Sequence, residues 1–338
     1  MDADLLRICE MFIRNRKTLA DTFRWDGYEM HLIGSAVLTS HGIEPGAEDL
    51  KRCAGIIKDR AKVLSPLRGY LKIIMTASML MEDDPETYFD NTERAYNLIR
   101  ITRRSRDDRY YLGAMALANV IEDKEELLGL VDKATELFGA IRSVSEQCED
   151  GRAFMVASIL AAAGVEDAEA FLEEANACIS QLEGTFGRTI YTEALGCILA
   201  LDKADAKFKA ARVKEIYKLL DTEGIRYGHG EELPVLGSVA MLDLTNAEAA
   251  AALAEADEYL RSQQGFGRFG CGHDKRHMYA ALMVISAYAS VLHGEQMATG
   301  AVISRAISSQ FTAMAAGTMI LAAEAYNDLT ANMGVNIR

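Results

Sequence analysis

One pattern limits what this chain can fold into: apolar segments, each ending in a short polar or acidic turn, recur at intervals of about 40 residues. They close at LTSHG, ASMLMEDD, ALANVIED, SILAAAGVED, CILALDKAD and VAMLDLTN, with His41, Asp83, Asp123, Asp167, Asp202 and Asp243 as anchors. A spacing near this value, varied by insertion, is what stacked helix pairs give, because a pair buries its apolar face only against a neighbouring pair. Ala, Leu, Glu, Lys and Met dominate, and there are only 4 prolines, Pro45, Pro66, Pro85 and Pro234, with no linker between halves. The fold expected is all-α, with about six helical-hairpin repeats forming an α-α superhelix or an α/α toroid.

Each repeat reads as two unlike helices. The first is apolar nearly all round, as in YLKIIMTASMLM (Tyr70 to Met81) and FMVASILAAAG (Phe154 to Gly164), and such a helix must be covered on most sides. The second is amphipathic: Val213, Ile216, Tyr217 and Leu220 share one face, as do Phe171, Leu172, Ala175, Cys178, Ile179 and Leu182. Acidic turns supply the N-caps. Asp84 precedes Pro85 at the first helical position, and Thr245 with Glu248 spells a capping box. One domain is expected over 1–338, with a capping helix in 1–26, repeats in 27–264, a Gly-rich connector and apolar helix in 265–293, and a second capping helix in 294–338. Leu5, Ile8, Phe12 and Leu19 mark the core side of the opening helix, which Trp25 and Gly27 end.

The formal net charge of -14 argues against nucleic acid as a partner, since phosphate-backbone binders gain affinity by releasing counterions with Lys and Arg. The cluster Arg100 to Arg109 is broken by Asp107 and Asp108 and reads as a solvated helix end. Cys9, Cys53, Cys148, Cys178, Cys197 and Cys271 are scattered, with no CxxC, and read as buried free thiols in a reducing compartment. With an acidic N-terminus, MDADLLRICE, the expected location is cytoplasmic. Ala306 to Ala323 carries no charge but is rich in small and hydroxylated residues, so close helix packing is expected rather than a membrane partner. That helix would cover the last repeat or join two copies in a homo-oligomer.

Candidate chemistry sits at two places. An arginine precedes an aromatic at the start of several apolar helices: Arg68 with Tyr70, Arg109 with Tyr111, Arg152 with Phe154, Arg188 with Tyr191, Arg276 with Tyr279. In register, these arginines and the neighbouring helix N-termini would form an anion-binding rim. The more economical reading pairs each arginine with a carboxylate of the adjoining repeat, such as Asp107, Asp108 or Glu149, and uses the aromatic for packing. The second place is Gly265 to Tyr279, where Cys271, His273 and His277 have the spacing C-x-H-x3-H of residues able to meet one metal. The plainer alternative is a set of partly exposed polar residues at a helix start. Gly265, Gly267 and Gly270 spell GxGxxG, but a helix ending YLRSQQ precedes them, so no dinucleotide and no other cofactor is expected.

Two resemblances carry further. With its opening helix, LIGSAVLTSHG, SPLRGYLKIIMTASML, serial AL-rich helices and QGFG followed by KRHMYAALMVISAYA, the chain is identified as a member of a bacterial all-helical family, domain of unknown function 4003. That resemblance implies no activity. Locally, residues 259–292 resemble one repeat of the protein prenyltransferase and terpenoid cyclase toroids, matching at Gln264, Gly265, Phe266, Gly267, Asp274, Tyr279, Ala281 and Leu282. Gln264 replaces the first glycine of that family's pair, and the cyclase aspartate-rich motif is missing. This likeness implies something about fold and nothing about chemistry. The function expected is a binding or scaffold module for a protein or an anionic small molecule. The alternative is an α/α-toroid enzyme with Arg276, His273, His277 and Cys271 near its mouth.

Overall fold

The structure, a computed structural model, describes residues 1–104, 107–118, 120, 124–144, 149–227, 230, 232–267 and 270–291. Cys148, the turn at Asp123 and the C-terminal helix expected in 294–338 lie outside the described residues. Within them the chain is all-α, and it divides into two compact units. One runs from Met11 to Glu166; the other joins Met1–Glu10 to the residues from Asp167 onward. Helix α1 (Ala3–Thr22) contributes to both, and Leu5, Ile8, Phe12 and Leu19 are buried along it as the spacing predicts.

In the Met11–Glu166 unit the apolar helices are α2 (Tyr28–Ser40), α4 (Lys72–Met79), α6 (Arg109–Ala118) and α8 (Asp150–Ala162). The amphipathic ones are α3 (Ala47–Arg60), α5 (Pro85–Arg103) and α7 (Lys124–Val144), and a 3-10 turn at Pro66–Arg68 precedes α4. Every residue from Tyr110 to Ala118 and from Ile73 to Met79 is buried, so α6 and α4 have no solvent face. In the second unit α9 (Ala168–Phe186), α11 (Ala206–Thr222) and α13 (Asn246–Ser262) are amphipathic, while α10 (Ile190–Leu199), α12 (Glu232–Ala240) and α14 (Gly272–Val291) fill its interior.

Apolar helices pack on apolar helices: α2 on α4 and α6 on α8 in the first unit, α10 on α12 and α12 on α14 in the second. Glycine makes these crossings close. A Cβ at Gly34 would stand 2.5 Å from Ile73, one at Gly113 2.7 Å from the Ser158 hydroxyl, and one at Gly237 2.4 Å from Leu195. Five of the apolar helices also lie more against the amphipathic helix before them than against the one after, α4 on α3, α6 on α5, α8 on α7, α10 on α9 and α14 on α13. The packed pair is therefore shifted by one helix from the apolar-then-amphipathic unit legible in the sequence.

The acidic turns cap as their residues dictate. The Asp84, Asp167 and Asp205 carboxylates accept from the second and third amides of α5, α9 and α11, and Thr245 with Glu248 closes a capping box on α13. No helix among the described residues is long and apolar enough to cross a membrane.

Candidate functional site

The Gly-rich connector is a tight return between α13 and α14. Gly265 and Gly272 take φ of +93° and +82°, the left-handed region that favours glycine, and the Cys271 amide donates to the Gly265 carbonyl at 3.0 Å. A Cβ on Gly270 would stand 1.7 Å from that carbonyl oxygen, so only glycine fits there. The return launches α14 with Arg276 and His277 turned inward, at 4 % exposure each.

Both meet Asp257, an acid on the buried face of α13. Arg276 grips it with two hydrogen bonds, Nε to Oδ1 at 2.7 Å and Nη2 to Oδ2 at 3.0 Å, and Nη1 donates to the Phe266 carbonyl at 3.3 Å. His277 Nε2 lies 3.5 Å from the same Asp257 Oδ1, and its ring stacks on Tyr227 with centroids 4.9 Å apart. The Tyr227 hydroxyl donates to the His277 carbonyl. Burial holds the His277 imidazole below its ordinary value, against the pull of Asp257, and pushes the Tyr227 phenol well above its own. His277 is therefore neutral at pH 7, with Nδ1 away from solvent and lacking a hydrogen-bond partner among the described residues.

An acid-sensitive term follows. The unfolded imidazole titrates near 6.5 and the folded one below it, so protonation favours unfolding. The stability held by the neutral ring is complete above the unfolded value and is lost as pH falls below it. His41, also lowered by burial, adds a second contribution of the same sign. Going from about pH 7 to about pH 5 should lower the urea midpoint, and His277→Gln should flatten that slope; an equal slope in the variant would show that His277 titrates normally.

Cys271, His273 and His277 are not brought to one point. His273 Nδ1 lies 3.4 Å from Arg276 Nη2, the Cys271 thiol donates to the Gly272 carbonyl at 3.6 Å, and His277 faces Asp257. No group of three or more His, Cys, Asp or Glu among the described residues could hold a metal ion. Burial pushes the Cys271 thiol up to about 11, which keeps it protonated and unreactive. Cys9, Cys53 and Cys178 are buried free thiols, while Cys197 and Cys271 are half-buried.

Among the serial arginines, Arg109, Arg188 and Arg276 meet carboxylates of the protein itself. Arg109 pairs with Asp107 at 2.7 Å and with Glu149, Arg276 pairs with Asp257, and Arg188 reaches Glu193 at 3.7 Å. Arg152 is half-buried on α8. The aromatics beside them pack: Tyr111 stacks on Tyr96 at 3.6 Å, Phe154 meets Tyr110 edge-on at 5.6 Å, and Tyr279 meets Phe266 edge-on at 6.3 Å.

Arg68 differs. Its guanidinium donates to neutral carbonyls, Ala61 at 2.9 Å and Lys58, so no carboxylate cancels its charge in these bonds. It lines a groove of about 540 Å³ with Lys51, Lys58 and Lys72 over an apolar floor of Phe23, Ala54 and Ile57. Lys72 sits 5.1 Å above the Phe23 ring and pairs with Asp26 at 2.7 Å; Lys51 and Lys58 have no carboxylate partner among the described residues. A concavity with an apolar base and convergent cations is suited to an anion that carries apolar bulk.

A family model described as Protein of unknown function (DUF4003) matches residues 15–316. The chain belongs to the DUF4003 family. No match to it was found among curated proteins or solved structures. Family membership brings no activity to this DUF4003 chain, so its function has to be argued from its own side chains. Reading the arginine–aromatic pairs had found Arg68 but not Lys51, Lys58 and Lys72, although seven basic residues and one acid, Asp59, fall between Lys51 and Lys72. That local excess of positive charge in an acidic chain was the signal available.

Proposed function

We propose that this protein is a binding module whose ligand is anionic and is taken up in the groove formed by Phe23, α3 and the Arg68–Lys72 segment. The observation that supports it is the set of cations there: Lys51, Lys58 and Arg68 surround an apolar floor without carboxylates of their own. A phosphate or carboxylate entering the groove would meet guanidinium and ammonium donors beside low-dielectric walls, where charge–charge attraction is weakly screened. Arg109 and Arg276 have partners already, so they belong to the scaffold.

The reading is tested by melting the protein in phosphate and in citrate. A ligand at about 100 times its Kd stabilises the folded state by about 2.7 kcal/mol, so a dose-dependent rise in Tm is expected. Lys51→Glu/Lys58→Glu should abolish the rise, and Arg109→Ala, though less stable at the outset, should keep it. A response unchanged by the groove substitutions, or absent with both anions, would sink the proposal.

A further inference from the structure

The groove is bordered by apolar side chains that no described residue covers. Trp25 is 95 % exposed, Leu64 95 % and Val63 78 %, the three most exposed large apolar residues among those described. Trp25 lines a hollow that shares Phe23 and Lys72 with the groove. Val63 and Leu64 stand in the turn closed by the Ser65 amide on the Lys62 carbonyl, and Arg68 ties that turn to the groove by donating to Ala61. Around them Arg24, Lys51, Lys58 and Lys62 form no ion pair with any described residue.

Resting on the proposed anionic ligand, we infer that this ligand is the headgroup of an anionic lipid, and that the face carrying Trp25, Val63 and Leu64 docks on a lipid surface. The chemistry divides in two. Lys51, Lys58 and Arg68 meet phosphate at the depth of the headgroups, while the indole and the Val-Leu pair enter the boundary with the acyl chains. Tryptophan favours that boundary because its body is apolar and its N–H can stay hydrogen-bonded. Peripheral docking of this kind needs both signals, apolar insertion and cations near the surface, and needs no spanning helix. This departs from the sequence-based expectation of no membrane partner, which was argued from the weak case for a spanning helix in Ala306 to Ala323.

A protein partner is the competing occupant, and the form of the apolar residues argues against it. Protein hot spots sit in packed pockets ringed by contacts that exclude water. Here the apolar groups stand on two separate chain turns, Trp25 after α1 and Val63–Leu64 before the 3-10 turn, each almost wholly exposed. Isolated projecting tips suit a fluid surface that closes around each one. The chain as a whole, at a net charge of -14, is repelled by an anionic surface, so attraction has to come from this basic segment and fixes which face turns to the lipid.

Trp25 is the chain's one tryptophan and therefore reports on its own docking. The full-length protein is mixed with vesicles of phosphatidylcholine alone and of phosphatidylcholine with about 30 % phosphatidylglycerol. Pelleting and a blue-shifted Trp25 emission are expected only with the anionic vesicles, with release in about 1 M salt, where the Debye length falls to about 3 Å. Lys51→Glu/Lys58→Glu should weaken partitioning at least about tenfold. Val63→Ser/Leu64→Ser alters two exposed side chains without adding charge; it should weaken vesicle binding yet keep the rise of Tm in phosphate. Loss of vesicle binding by the wild type with the phosphate response intact would overturn the lipid assignment and leave the anion site standing. A blue shift with a glutamate-rich peptide but not with vesicles would overturn it in favour of a protein, and absence of both responses would remove the site as well.

Discussion

Asp257→Ala is expected to destabilise the protein by about 3–5 kcal/mol, read as a lowered urea midpoint. The Arg276 and Asp257 side chains are 5 % and 8 % exposed, so removing the carboxylate leaves a guanidinium that water cannot solvate. It also removes the acceptor nearest His277, whose ring then sits beside an uncompensated cation. The size of the loss measures that exposed mismatch rather than the worth of the pair, since forming the pair required desolvating both ions. Replacing both partners, as in Asp257→Leu with Arg276→Met, should therefore recover most of the loss. A single-variant cost below about 1 kcal/mol, as for a surface pair, would contradict the buried geometry.

Arg276 was legible in the sequence, but its partner was not, and the reason lies in α13. NAEAAAALAEADEYLRS looks polar on average, yet Leu253, Asp257 and Leu260 fall four and then three residues apart on one face, with Ala249 and Ala256 beside them. An acid on a buried stripe requires a cation or a proton from elsewhere, and the nearest arginine across the glycine return is Arg276. Periodicity could have placed Asp257 in the core; only folding could bring the two together. The same reasoning explains why the caps were readable and the packed pairs were not. A cap is set by residues three positions apart, as in Thr245 and Glu248, whereas whether α4 lies on α3 or on α5 depends on the path of the chain between them.

Charge pairing separates the two basic stretches in a way that composition could not. Arg103 and Arg109, in the cluster that stood out in the sequence, are drawn inward: Arg103 lies 3.8 Å over the Phe138 ring, and Arg109 grips Asp107 and Glu149. Between Lys51 and Lys72, Arg60 meets Glu86 and Asp90, and Lys72 meets Asp26, while Lys51, Lys58 and Arg68 have no carboxylate partner among the described residues. Which cations stay available is a tertiary property. The candidate metal ligands Cys271, His273 and His277 stay apart for a related reason. A helix start that turns Arg276 and His277 onto Asp257 cannot also present His277 to Cys271 and His273.

Phe154→Ala is expected to cost about 3–5 kcal/mol in the same assay. Phe154 is wholly buried on α8, with Tyr110 edge-on at 5.6 Å and Phe138 tilted against it at 5.7 Å. The Arg103 guanidinium lies 5.7 Å from its ring as well as over that of Phe138, and Arg103 Nε, away from solvent, has no hydrogen-bond partner among the described residues. Arg103 Nη2 also pairs with Asp150 at 3.8 Å, so the rings are one part of that cation's compensation, and truncation removes packing together with that part. Phe154→Leu, which fills most of the space without a ring, should cost less. The remaining difference isolates the aromatic contribution, and its fate in phosphate decides what the repeated aromatics are for. If Phe154→Leu keeps the full rise in Tm, the ring serves packing; if the rise disappears, the aromatic takes part in anion binding and the groove at Lys51, Lys58 and Arg68 does not act alone.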